Sequence, residues 1–282
     1  MGAPSGVPVR EVVGFTLLAF ALSWGWDAIW VAPRLGVLLA APVTPDGAGP
    51  VFGNDFAYLP AMFGPAIAAA LMRLPRGSEG FRGSLALRQP PRLYLAALAL
   101  PVAVVAVATL LLLAASLAVV SPPAEAFTAP VGLLLAGLLA LECLFAFGEE
   151  YGWRGYLLPR LLPLGEVRGT LLVGLLWGLW HLPVLVSGVL LGGSPLALAV
   201  AVHFAAVIVQ SFPYTWLARA TRFSPAVAAT FHGSANWSLQ RALGFVTVAS
   251  SAAGLAVVAA VWLVVVVGWY AARRLAGRPR FR

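Results

Sequence analysis

The chain has 282 residues, of which 61% are hydrophobic and 10% charged, with a mean hydropathy of +0.92. An ordinary soluble domain carries roughly 25% charged residues, so this composition excludes a soluble fold and points to membrane spans. The basic residues are all Arg and give a net charge of +8; lying in short loops between apolar runs, they read as charges that orient helices at anionic headgroups, not as a nucleic-acid surface.

Eight apolar segments are each near the roughly 20 residues needed to cross the hydrocarbon core. They are predicted at 12–31, 56–73, 93–119, 131–150, 169–190, 196–218, 224–240 and 250–272. The first follows Arg10 like a signal peptide. It ends in Trp24, Trp26, Asp27 and Trp30 without a small-residue cleavage site, so a retained span is expected. A flexible outer loop rich in Pro and Gly is expected at 34–55. The second segment is short and carries Pro60 and Pro65, and the seventh is short and polar. Cys143, the single cysteine, lies inside an apolar run and cannot form an internal disulfide.

The arginines test the count. Arg73, Arg76, Arg82, Arg88 and Arg92 follow the second span, and Arg154, Arg160 and Arg168 follow the fourth. Arg219 and Arg222 follow the sixth, and Arg273, Arg274, Arg278, Arg280 and Arg282 end the chain. With eight spans these all fall on one side, leaving Arg34 and Arg241 on the other. The expected fold is therefore all-α: one integral membrane domain over 1–282, a polytopic bundle of about eight transmembrane helices with both termini cytoplasmic.

Ionisable groups inside spans are costly, roughly 2.5–3.5 kcal/mol for an acidic side chain at a helix centre on insertion scales. Three groups stand out. In FGEEYGWRGYLLPRL, Glu149 and Glu150 are adjacent, and Glu150 stands four residues before Arg154, on one helical face. Two close carboxylates repel, which suits one of them to accept a proton; an ordinary ion pair at a solvated helix end is the plainer alternative. In LLWGLWHLP, Trp177 precedes His181 by one turn and Pro183 loosens the helix just after it. A buried histidine bonded to a backbone carbonyl is the alternative there. In FSPAVAATFHGSANW, His232 and Asn236 are four apart and face one neighbour, either as a functional pair or as interhelical hydrogen bonds. His203 has no polar partner within a turn and is expected to be structural, or to stand behind the other residues.

Taken in order, GEEYGWRGYLLPRL, WGLWHLP and FHGSAN resemble the family of CAAX-processing and bacteriocin-processing membrane endopeptidases (CPBP), over roughly 131–240. The family pattern of Glu-Glu-x-x-x-Arg, aromatic-x-x-x-His and His-x-x-x-Asn/Asp falls on Glu149, Glu150 and Arg154, on Trp177 and His181, and on His232 and Asn236. Trp177 departs from it, since Phe is common there.

The resemblance implies a catalytic core over 131–240 that hydrolyses a peptide bond inside the bundle. By the family pattern Glu149 is the general base, His181 helps hold the water, and His232 and Asn236 donate to the oxyanion. Glu150 and Arg154 support Glu149. A divalent metal such as zinc, held by His181, His232, Glu149 or Glu150, is an open alternative, because two histidines and a carboxylate also form a hydrolytic zinc site. The implied partners are the lipid bilayer and a peptide or lipidated-protein substrate, as in trimming of prenylated C-terminal tripeptides or bacteriocin maturation. The Arg-only basic set with abundant Ala and Gly fits GC-rich coding and a bacterial plasma membrane, which weighs against a prenylated substrate. Two rival classes remain in view. One is a transporter or proton pathway, against which the absence of a sequence repeat counts. The other is a non-catalytic scaffold of the same fold, against which the complete polar set counts.

Overall fold

In a computed structural model the described residues are 6–40, 59–74, 84–121, 128–188, 190–191, 193–248 and 250–276. Helix α1 spans Val9–Ala40. A 3-10 turn at Leu59–Phe63 leads into α2, Gly64–Arg73. Then come α3, Pro91–Ala114, and α4, Ala129–Gly152. The chain continues from α4 through a π-helical turn at Trp153–Leu157 and a single α-turn at Leu158–Leu161. Helices α5, Glu166–Trp180, and α6, Leu182–Val186, follow. The last three are α7, Leu196–Ala220, α8, Pro225–Phe245, and α9, Ser251–Leu275.

Local chemistry sets several of these boundaries. Pro91 and Pro130 stand in the first turns of α3 and α4, where a missing N–H costs nothing. Ser250 caps α9 by accepting from the Ala253 amide at 3.0 Å. Pro101 and Pro213 lie inside α3 and α7, as tolerated in membrane helices packed by neighbours.

Every predicted segment contains a helix within the described residues, but the elements differ from eight uniform spans. Five helical stretches are long and apolar enough to cross a membrane: Val9–Ile29, Pro91–Ala114, Ala129–Leu164, Leu196–Ala220 and Ser251–Leu275. The second segment is a shorter apolar helix, Leu59–Arg73. The fifth ends at Trp180 because the ring of Pro183 cannot continue the hydrogen-bond ladder, so His181 is a junction between α5 and α6. The seventh, α8, has the length but carries the His, Ser and Asn side chains that lower its hydropathy. The third stops at Ala114, and Ala118–Val120 instead forms strand β1, paired antiparallel with β2, Val246–Val248. This two-stranded ribbon, an addition to the all-α expectation, has Val119 opposite Thr247.

The loop expected at 34–55 is helical as far as Ala40, and its remainder lies outside the described residues. Arg76, Arg82, Arg278, Arg280 and Arg282 also lie outside them.

Burial follows the membrane pattern: large apolar side chains such as Leu133 and Val264 face outward, while aromatic residues fill the interior. Trp153, Tyr156, Trp177, Tyr214, Phe231 and Trp262 form one buried cluster. Small residues let the helices approach. A Cβ added at Gly233 of α8 would lie 2.6 Å from the Cys143 backbone nitrogen of α4, so only glycine allows this contact. Gly174 does the same between α5 and the backbone of Ile208 in α7, at 2.9 Å.

One end of the bundle gathers the ion pairs. Arg160 Nε donates to Glu11 Oε2 at 2.8 Å, joining the α4 extension to the start of α1. Glu166 accepts from Arg219 at 2.7 Å and lies 3.5 Å from Arg273, tying α5 to the ends of α7 and α9. The side chain of Arg73, at the end of α2, packs over the rings of Tyr151 and Tyr156 and donates to the Gly155 carbonyl at 2.7 Å.

Candidate functional site

Three helices and a π turn carry the candidate side chains to one buried place. The last turns of α4 supply Glu149 and Glu150, and the π turn supplies Arg154. Near the end of α5 stand Trp177 and then His181 at the junction with α6; α8 supplies His232. The close approaches at Gly233 and Gly174 set the depth of insertion, each lying within a turn of a site residue.

The two carboxylates sit in different surroundings. Glu150 is completely buried; its Oε1 accepts from Arg154 Nη1 at 2.7 Å and is 2.9 Å from His232 Nδ1. The carboxylate only accepts in this arrangement, so His232 Nδ1 carries the proton. Arg154 lies over the Tyr214 ring at 3.9 Å and the Trp177 ring at 4.2 Å, and reaches Ser211 Oγ at 3.4 Å. A buried guanidinium is thus paired with one carboxylate and covered by two aromatic faces, the arrangement a low-dielectric site requires.

Glu149 has a neutral partner. Trp177 Nε1 donates to Glu149 Oε2 at 2.7 Å. The Trp177 ring also meets those of His181, His232 and Tyr214 edge to face, at 5.5, 5.4 and 5.7 Å between centroids. Its backbone carbonyl lies 2.8 Å from His181 Nδ1. A carbonyl can only accept, so Nδ1 of His181 carries the proton and Nε2 presents a lone pair. Trp177 is therefore the common neighbour that relates Glu149, Arg154, His181 and His232.

Residues 130–238 match the family model described as Rce1-like, type II CAAX prenyl endopeptidase. The matched stretch is similar to that family. It begins at the second residue of α4, ends within α8, and contains all six candidate residues. The family is one of proteases, and together with the five long apolar helices it makes this a multi-pass integral membrane protein. A comparison with curated proteins finds no match.

Within the matched stretch, five of the six candidates meet around Trp177. Asn236 stands one turn beyond His232 on the same helix, half-buried, and makes no hydrogen bond to the other five among the described residues. His203 of α7, which has no polar partner in its own sequence, packs its ring 4.7 Å from that of His181. Two further residues lacked a signal in the sequence. Ser211 and Tyr214 of α7 line the Arg154 guanidinium, and an isolated Ser or Tyr in an apolar helix has no spacing to mark it. Among the described residues no three His, Cys, Asp or Glu side chains come together in the arrangement of a metal centre.

Proposed function

We propose that the protein is an intramembrane endopeptidase whose general base is Glu149. The observation that carries this reading is the pairing of a carboxylate bound, among the described residues, to a neutral indole (Glu149–Trp177) with a charge-anchored one beside it (Glu150–Arg154–His232). Glu149 takes the proton of a water as its oxygen attacks the scissile carbonyl, then returns that proton to the leaving amine. His181 Nε2 accepts a hydrogen bond from the same water and fixes its approach. His232, with protons on both ring nitrogens, donates through Nε2 to the oxyanion, and Glu150 opposes its charge through Nδ1. Asn236 is the second oxyanion donor; its side chain engages when substrate occupies the site. No step passes through a metal.

The end bearing the Glu11, Glu166 and arginine ion pairs is proposed to be cytoplasmic, with both termini on that side, following the positive-inside rule. The substrate is a membrane-associated or membrane-delivered peptide, and the source is bacterial.

Comparison of peptide ends in cells carrying the wild type and Glu149→Gln tests the reading. Cleavage products are expected to disappear in the variant while folded protein persists, and to survive treatment with a chelator. Cleavage retained by both Glu149→Gln and His181→Ala would end the proposal. Loss to a chelator with recovery on added zinc would favour a metal-assisted reaction instead.

A further inference from the structure

The ring of His181 is held on three sides. Trp177 stands 5.5 Å from it, Trp180 4.8 Å and His203 4.7 Å, all edge to face. The first two belong to its own helix, whereas His203 comes from α7. His203 is 93% buried, since only 7% of its surface is exposed, and its Nε2 has no hydrogen-bond partner among the described residues. An apolar ring of similar shape would pack against His181 equally well without burying a polar nitrogen. An unsatisfied buried polar group costs about 1–3 kcal/mol, so an imidazole here calls for a polar partner. Its ring meets that of His181, whose Nε2 makes no hydrogen bond among the described residues while Nδ1 is held by the Trp177 carbonyl. His181 is the only partly buried ring of the three histidines, so a small polar molecule can reach it.

We infer that His203 is a further catalytic residue of this site, its Nε2–H donating to the oxygen of the one water that His181 Nε2 holds for the proposed reaction, so that this water keeps its approach to the substrate carbonyl. It orients that water and takes no proton from it. The inference rests on the protease reading for its purpose, but its geometry can be tested without any cleavage.

The chain has three histidines, so ring-nitrogen NMR of the full-length protein in detergent can be assigned by single substitutions. In His203→Phe, which keeps an aromatic ring and removes the nitrogen, the His181 Nε2 resonance is expected to move toward that of an imidazole nitrogen without a hydrogen bond. His203→Gln, whose amide nitrogen reaches the place of Nε2, is expected to restore it in part. An unmoved His181 resonance in His203→Phe overturns the inference. On a fluorogenic peptide spanning a bond that the wild type cleaves and Glu149→Gln spares, His203→Phe is expected to lower kcat about tenfold, the loss of one hydrogen bond of about 1.4 kcal/mol, with KM little changed, and His203→Gln to recover part of that loss. Equal rates for wild type and His203→Phe would also overturn it, because a purely packing role is kept by phenylalanine. Cleavage that persists in Glu149→Gln would defeat the protease reading alone, leaving the nitrogen shift to decide the role of His203. Should the Phe variant not fold, the Gln variant and its nitrogen spectrum carry the same decision.

Discussion

Trp177 shows how one substitution within a motif changes its chemistry. The family position commonly holds Phe, which would keep the ring contacts to His181, His232 and Arg154 but could not donate to Glu149. The indole N–H makes the 2.7 Å bond that holds the carboxylate. Trp177→Phe is expected to leave the fold intact and lower kcat about tenfold or more, since a hydrogen bond to an ionised group contributes about 1.5–3 kcal/mol; a kcat equal to wild type would remove Trp177 from the mechanism. The Glu150–Arg154 pair makes a different demand at the same scale. Both side chains are at most 1% exposed, and removing one leaves the other as an uncompensated buried charge. Arg154→Met is expected to destabilise the protein by about 3–5 kcal/mol, and Glu150→Gln combined with Arg154→Met by less than the sum of the single changes. Unfolding curves in detergent decide this, and strict additivity would argue that the pair is not coupled.

At the scale of elements, the site depends on how closely α8 meets α4. His232 reaches Glu150 because the next residue, Gly233, lets the two backbones touch at Cys143. Gly233→Val inserts a branched side chain where a single Cβ would already lie 2.6 Å from the Cys143 nitrogen. The expected result is a loss of about 1–3 kcal/mol in stability with loss of cleavage, as α8 moves away from α4 and His232 leaves Glu150. A stable, fully active variant would show that the helices can separate without disturbing the site. The π turn at Trp153–Leu157 works at the same level. It follows Glu149 and Glu150 directly, as π turns commonly do at functional sites, and Arg73 from α2 binds its Gly155 carbonyl. The end of α4 that carries Glu149 and Glu150 is thereby fixed by a helix remote in sequence.

Across the whole molecule, the ion pairs of Glu11 and Glu166 bring the start of α1, the extension of α4, the start of α5 and the ends of α7 and α9 to one end of the bundle. That arrangement is what a cytoplasmic face with an arginine excess requires. A reporter fused to the C-terminus is expected to be active only if cytoplasmic, and a periplasmic signal from it would invert the proposed topology. The exposed apolar faces of α3, α4 and α9 need lipid around them, so stability is expected to depend on the detergent or lipid used.

Hydropathy and helical spacing are local properties, and the sequence alone carried them: an all-α membrane protein, eight apolar segments, and three polar groups whose four-residue spacings put Glu150 with Arg154, Trp177 with His181 and His232 with Asn236 on shared faces. The rotation and depth of each helix relative to the others are not local. Only the packing decided that the Trp177 indole turns to Glu149, and that His203, isolated in its own helix, lies against His181. The physical reason is that helix-to-helix approach is set by small residues and buried polar partners drawn from distant parts of the chain, and spacing within one segment carries no record of which neighbour it will meet.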